Sequence, residues 1–338
     1  MRVNHLNVFV GVAVSVFGCG PAELSDFDDR LWVDSGNPSP ENITADGGSQ
    51  SFDAGMPQDA GPRPDAGSLV DAGPKPDAGS KPDAGQPVDS GTTGPYYIYP
   101  SGADDTAALT AAVKAHSKVV ISQALIINGI VDLTGVSNKT LEWVGAGQLR
   151  RTTTPTPDSI FVISLNAATN VKLIKPVIKG AWTSCAYSAP VEHHHAVHIT
   201  GASSYITIEG GSFTNMPGDG VYIARASHHI TVNALTVNCV GRNAISNVGS
   251  TVVRVNGGSY SNAGLWIFNI EPTGTKFVDD YVITTPTVGP SGSYWLLSTG
   301  PDFSCKVTKV VVHKPVFARP SKATNIASCV ASGITINY

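Results

Sequence analysis

From Tyr96 onward the chain alternates apolar and polar residues, and the alternation returns at a fixed interval. Ile206-Thr-Ile-Glu-Gly-Gly-Ser-Phe-Thr-Asn215 matches Val253-Arg-Val-Asn-Gly-Gly-Ser-Tyr-Ser-Asn262 position by position, 47 residues on, and Ile230-Thr-Val-Asn-Ala-Leu-Thr-Val-Asn-Cys239 lies midway. Steps of 24 and 23 residues, each with one apolar face, predict short strands recurring at a fixed period. A second column keeps the spacing: Ala196-Val197-His198-Ile199, Gly220-Val221-Tyr222-Ile223 and Ala244-Ile245-Ser246. Two short strands per unit, separated by Gly, Asn and Ser, stack most simply as coils of a parallel β-helix. Each coil would pair with the next at about 4.8 Å and turn its aliphatics into a continuous core. Proline marks one bend in Leu173-Ile-Lys-Pro176, Ile283-Thr-Thr-Pro286 and Val312-His-Lys-Pro315, so the repeat runs from about 171 to 317.

Two departures from the period predict special structure. Val171 to Ile206 is 35 residues, about 11 more than one coil, so Gly180-Ala-Trp-Thr-Ser-Cys-Ala-Tyr-Ser-Ala-Pro190 is expected to loop out over the stack. There Trp182 and Tyr187 either form a sugar-stacking wall or pack on the neighbouring coil. An open stack also exposes an apolar end that must be covered. Gly102-Ala-Asp-Asp-Thr-Ala-Ala-Leu-Thr-Ala-Ala-Val113 can cover it, since Asp104 or Asp105 can cap a short helix with Leu109, Ala112 and Val113 on one face.

The first 94 residues are of another kind. Residues 1–18 read as an export signal, with Arg2 and His5 before an apolar run from Leu6 to Phe17 that is too short to span a bilayer. Val16-Phe17-Gly18-Cys19 resembles the lipobox of bacterial lipoproteins, which makes Cys19 the expected lipid anchor; Gly20 after it implies outer-membrane retention. An ordinary signal peptide with an incidental cysteine is the alternative. Residues 19–94 contain a hexapeptide rhythm, with Asp53, Asp59, Asp65, Asp71, Asp77 and Asp83 each followed by Ala-Gly. With almost nothing to bury, such a segment cannot offset its ordering entropy and is expected to be a disordered tether. Residues 95–338 form the folded domain.

A net charge of -4 and 14% charged residues give no electrostatic reason to expect nucleic acid or an anionic membrane surface as a partner. Setting Cys19 aside leaves Cys185, Cys239, Cys305 and Cys329, an even set suited to an oxidising compartment. Cys305 and Cys329 are 24 apart, hence on adjacent rungs where a disulfide is tolerated, with buried free thiols as the alternative. Cys185 and Cys239 are then the other pair, pinning the inserted loop.

Stacking turns a 24-residue spacing into a contact. His195, Asp219 and Asn243 form one outer column, His198, Tyr222 and Ser246 another, and Trp266 is expected to extend the second. Asp219, His195, Tyr222 and Arg242 are the candidate acid/base and charge-stabilising groups, Arg242 being placed to hold an acidic sugar. His198, Asn243, Ser246, Trp266, Trp182 and Tyr187 are candidate substrate contacts. The competing reading of Gly218-Asp219-Gly220 is a tight turn between strands. His193, His194, His195 and His198 invite a zinc site, but no further ligand at suitable spacing joins them apart from nearby Glu192; exposed loop histidines are the other reading, and no metal site is assigned.

The entry segment Asp104-Asp-Thr-Ala-Ala108, with Gly218-Asp-Gly-Val-Tyr-Ile223 and Gly241-Arg-Asn-Ala-Ile-Ser246, resembles the pectate-lyase-like superfamily over roughly 100 to 338. That resemblance implies an all-β, right-handed single-stranded parallel β-helix behind a capping helix. It also implies an extended polysaccharide or cell-surface glycan as partner, handled by a lyase, hydrolase or epimerase. The chain departs from the superfamily's enzymes in lacking the Asn-x-Asp, Asp-Asp, Gly-His-Gly and Arg-x-Lys set. It has no acidic cluster for the calcium that pectate lyases use, so calcium enters only by analogy. Within 190 to 275 the acids are Glu192, Glu209, Asp219 and Glu271, which looks too sparse for a carboxylate pair and leaves a non-catalytic glycan- or protein-binding or structural module as the alternative.

Overall fold

The structure is a computed structural model and describes residues 94–153, 161–272, 277–290, 296–299, 307–317, 324–325 and 333–338. The signal segment, Cys19, all of the tether but Gly94 and the Cys305–Cys329 pair lie outside the described residues.

The described residues wind into a parallel β-helix of three sheets, of ten, eight and eight strands, in which every strand pairing is parallel. One coil consists of Val197–Thr200, Ser204–Glu209 and Ser212–Met216; the next consists of Val221–Ala224, His228–Asn233 and Thr236–Val240. We call the sheets containing Ser204–Glu209, Ser212–Met216 and Val197–Thr200 the first, second and third sheet. Ile206, Ile230 and Val253 are direct neighbours, as the 24- and 23-residue steps predict. The expectation of two strands per unit is corrected to three, because the matched ten-residue stretch is itself two strands broken at Gly210 and Gly211.

Inward residues alternate with outward ones along each strand, and the bore is filled by Ile206, Ile208, Phe213, Val221, Ile223, Ile230, Val232, Val237, Val253, Val255 and their counterparts, all fully buried. Each such side chain contributes on the order of 1.5–3 kcal/mol. Outward polar residues also stack: Asn233 donates through its Nδ2 to Glu209 (2.8 Å), and Asn256 donates to Asn233 Oδ1 (2.9 Å).

The corners need little sequence. Between the first and second sheets a left-handed residue turns the chain in successive coils: Lys175, Gly210, Ala234, Gly257, Thr285 and Lys314, with φ between 44 and 65°; in the two Gly-Gly corners Gly211 and Gly258 follow with φ of 87 and 89°. A second left-handed file, Asn138, Asn170, Tyr205, His229, Val252 and Asp280, bulges out of the first sheet, so that Ser204 pairs with His228 and Ile206 with Ile230 while the residue between is skipped. Bulky residues adopt this backbone at a cost of roughly 1–2 kcal/mol each, which the lateral hydrogen bonds of the stack must exceed.

The helix Thr106–Ala115 closes the N-terminal end with Leu109, Ala112 and Val113 buried on the core. Asp104 accepts from the Thr106 amide (3.0 Å), whereas Asp105 at the N-cap position accepts from the Ile126 amide (3.1 Å) and ties the helix to the first coil. Substitution of Ile230 by Ala at the centre of the bore should cost about 3 kcal/mol in urea unfolding. Thr285→Gly, which relieves a β-branched residue at a left-handed corner, should instead stabilise by about 1 kcal/mol.

Candidate functional site

The inserted segment leaves the second sheet at Lys179 and rejoins the third at Val197, with a 3-10 turn at Ala189–Val191. Cys185 and Cys239 form a disulfide that pins it to the following coil. Glycine permits the close seating. A Cβ at Gly241 would lie 2.1 Å from the Pro217 carbonyl and 3.0 Å from that of Ala186, and one at Gly218 would lie 2.4 Å from the Glu192 carbonyl. Gly218 and Gly220 thus serve close approach, and neither has the positive φ that a glycine turn would exploit.

His195, Asp219 and Asn243 do stack, as a ladder from side chain to backbone. The Asp219 amide donates to His195 Nδ1 (2.9 Å), the Asn243 amide to Asp219 Oδ1 (2.8 Å), and the Trp266 amide to Asn243 Oδ1 (3.2 Å). Trp266 therefore continues this column, a correction to its expected place beside Ser246; Asn269 is in register with Ser246 instead, since that step is 23 residues. His195 Nδ1 also lies 3.5 Å from Asp219 Oδ2, but a nitrogen that accepts an amide proton is not the cationic half of an ion pair. Burial, reinforced by the Arg242 charge, holds the His195 ring well below its usual range, so it is neutral.

His198 is likewise buried, stacked on Phe161 at 4.0 Å, and burial with the Arg225 charge lowers its pKa to about 3. The Tyr222 ring stacks on His195 at 4.5 Å. Asn243 donates through Nδ2 to Ser246 Oγ (3.0 Å).

Arg242 is the centre of the site. Its Nη2 lies 2.9 Å from Glu271 Oε2, its Nη1 3.6 Å from Asp219 Oδ2 and its Nε 3.7 Å from Glu192 Oε2, with 11% of the side chain exposed. Burial disfavours its charge, but Asp219, Glu271, Tyr222 and Glu192 outweigh that and raise its pKa. Tyr187 donates to Glu192 Oε2 (3.0 Å) and Asn269 to Glu271 Oε2 (2.9 Å). The Glu192 and Glu271 side chains are 26% and 28% exposed, whereas Asp219 is completely buried. Burial pushes the Asp219 carboxyl up to about 6, against the opposing pull of Arg242 and the Asn243 amide.

The structure thus brings together His195, Asp219, Tyr222, Arg242, His198, Asn243, Ser246 and Tyr187. Trp182 stays apart: its indole donates to the Ala186 carbonyl (3.0 Å) and its own carbonyl faces Cys239. The expectation that Arg242 is available for an acidic sugar is corrected, because three carboxylates already surround it. The apparent sparseness of acids is corrected too, since Glu192 and Glu271 meet at one guanidinium. Asn269 was legible in principle, lying 23 residues after Ser246; Glu271 follows Ile270, the partner of Asn247, and so has no polar counterpart one coil earlier, while Phe161 precedes the repeat and gave no signal.

The histidines do not converge, and among the described residues no group of three His, Cys, Asp or Glu side chains is placed to hold a metal ion. Calcium does not fit the Arg242 cluster, where the carboxylates are directed at a guanidinium that already supplies the positive charge.

No family model matches the chain, and no curated protein matches it. Among solved structures it is similar to the enzymatically active domain of tailspike protein 2 of bacteriophage CBA120, at 11% identity over 67% of this chain and 44% of that one, with a TM-score of 0.38. It is also similar to the catalytic domain of a GH87 alpha-1,3-glucanase in complex with tetrasaccharides, at 8% identity over 72% of this chain and 68% of that one, with a TM-score of 0.23. The chain therefore spans less than half the length of the tailspike domain.

The buried carboxyl gives the fold a pH dependence. Folding holds the Asp219 proton more tightly than the ordinary 3.8, so stability should fall as pH rises from about 4 to about 6 and the whole deficit should be present above that. Asp219→Asn keeps an oxygen for the Asn243 amide and removes the buried charge. It should raise stability at pH 7 by up to about 3 kcal/mol, with the gain disappearing near pH 4 in chemical denaturation. Cys185→Ser should speed amide hydrogen exchange at Val191, Glu192 and His194 while leaving Ile206 and Ile208 protected.

Proposed function

We propose that this chain is an exported lipoprotein, anchored through Cys19 at the outer membrane or cell surface. Its β-helix binds an extended polysaccharide along the outer face of the third sheet and processes it at the Arg242 cluster. Residues 19–94 act as the tether that holds the domain off the membrane. The observation that carries the site is one guanidinium within 3.7 Å of three carboxylates, two of them open to solvent.

In this reading Glu192 and Glu271 are the working pair. Hydrolysis of a glycosidic bond needs one carboxyl to protonate the leaving oxygen and another to activate water or attack the sugar. Arg242 fixes where both point. Asp219 supplies a buried negative charge behind the guanidinium, and Tyr187 and Tyr222 border the pair with phenol rings suited to a sugar face. Three carboxylates against one cation disfavour acidic sugars, so the substrate is uncharged where it meets the cluster.

A non-catalytic binding module is the second reading. It is favoured by the ladder, in which His195, Asp219 and Asn243 use side-chain acceptors on backbone amides of the coil above.

Full-length protein incubated with dextran, laminarin and xylan should release new reducing ends from at least one of them. Glu192→Gln and Glu271→Gln should each lower the rate by about a hundredfold or more. Product formation that survives both substitutions removes this site, binding without product selects the second reading, and neither binding nor product overturns the glycan assignment.

A further inference from the structure

The left-handed file of the first sheet brings a different pair of histidines together. In a regular strand, neighbours point to opposite faces, so two consecutive histidines diverge. His229 has a φ of 57° and is the residue skipped between the pairs Ser204 with His228 and Ile206 with Ile230. The alternation breaks there, leaving His228 half-buried and His229 exposed on one side of the strand. Unlike His193, His194, His195 and His198, these two rings meet: His228 Nδ1 and His229 Nδ1 are 2.8 Å apart.

A third ring holds them in place. Tyr205, one coil earlier, sits at the same left-handed bulge and therefore turns outward, 56% exposed. Its ring stacks on His229 with centroids 4.7 Å apart and stands edge-on to His228 at 6.1 Å. The two imidazole planes are themselves nearly perpendicular, at 79°. Donors whose orientation is already set by packing lose little freedom when a ligand arrives.

Two imidazoles can face each other through Nδ1 in two ways. Either one ring donates its proton to the lone pair of the other, or both carry their proton on Nε2 and a cation takes both lone pairs. The separation suits the second arrangement for particular ions. Metal to nitrogen bonds of about 2.0 Å meeting at a right angle hold the nitrogens about 2.8 Å apart, the cis spacing of a square-planar or tetragonal site. A tetrahedral ion would need roughly 3.3 Å. Cu(II) and Ni(II) thus fit better than Zn(II), and nitrogen donors bind Cu(II) more tightly than Ni(II). No net charge opposes a cation here, because Arg254 and Lys309 further along the sheet are matched by Asp279 and Asp280. His229 also lines a groove of about 430 Å³ with Asn170, Thr207 and Thr231, so water can reach the positions that the imidazoles do not fill.

We infer that His228 and His229 form a two-nitrogen Cu(II) site on the first sheet, with water completing the coordination. Both Nδ1 atoms bind the ion, and Tyr205 acts only by holding the His229 ring. The site is on a different sheet from the Arg242 cluster and does not depend on that cluster being functional.

The test titrates full-length protein with copper(II) chloride by calorimetry and reads the bound ion by electron paramagnetic resonance. Copper held elsewhere on the chain is subtracted by comparing variants. His228→Ala and His229→Asn, the latter tolerant of the left-handed backbone, should each lose one equivalent of bound Cu(II) and its two-nitrogen hyperfine pattern. Their urea midpoints should match that of the wild type, and His193→Ala should keep the equivalent. Zn(II) should bind at this position at least about tenfold more weakly than Cu(II). The wild-type copper stoichiometry and spectrum persisting in either His228→Ala or His229→Asn would overturn the inference. So would Zn(II) binding there as tightly as Cu(II), or no copper bound by the wild type at submillimolar concentration.

Discussion

Parallel pairing in strict register places each side chain directly above its counterpart one coil earlier, and the bore, the corners and the polar files of the described residues follow from that constraint. A residue in such a stack is chosen less by its neighbours in sequence than by those 23 or 24 positions away. Inside the bore the requirement is for Ile, Val and Leu. Outside it is for side chains whose hydrogen bonds repeat at the rung spacing, as in the Glu209, Asn233 and Asn256 file. The corners can be economical because the lateral amides hold the chain, so a left-handed Ala234 or Thr285 fills a position that an isolated turn would assign to glycine.

The same constraint makes the ladder at the third sheet and limits its chemistry. His195, Asp219 and Asn243 are three different side chains with one shared property, an acceptor that can take the amide of the next coil. Where the strand leads out of a broad turn, that amide would otherwise be buried without a partner, at a cost of about 1–3 kcal/mol. The polar column is thus a structural necessity, and the polar groups that the ladder does not consume are Arg242 and the two partly open glutamates around it.

The inserted loop completes the arrangement. The repeat alone gives Arg242 two acidic neighbours, Asp219 and Glu271; the third, Glu192, arrives from a segment outside the period, and Tyr187 comes with it. Its seating depends on Gly218 and Gly241, which leave room for backbone, and on the Cys185 to Cys239 bond. A loop that breaks the repeat can thereby build a site on a scaffold that otherwise offers only rows of similar residues.

The sequence by itself determined the coil period, the inward aliphatic positions and the capping helix, because each of these is a matter of spacing along one axis; Cys185 and Cys239 were only the pair left once Cys305 and Cys329 had been matched, and it is the structure that joins them. It also put His195, Asp219 and Asn243 in one column. What it did not contain was the direction of each polar group. That Asp219 faces an amide, that Arg242 is already surrounded by carboxylates, and that Tyr205 turns outward at a left-handed bulge were decided only by the tertiary structure. Periodicity fixes which residues are neighbours, but hydrogen-bond direction, burial and the loop's approach depend on backbone angles and on contacts made from outside the repeat.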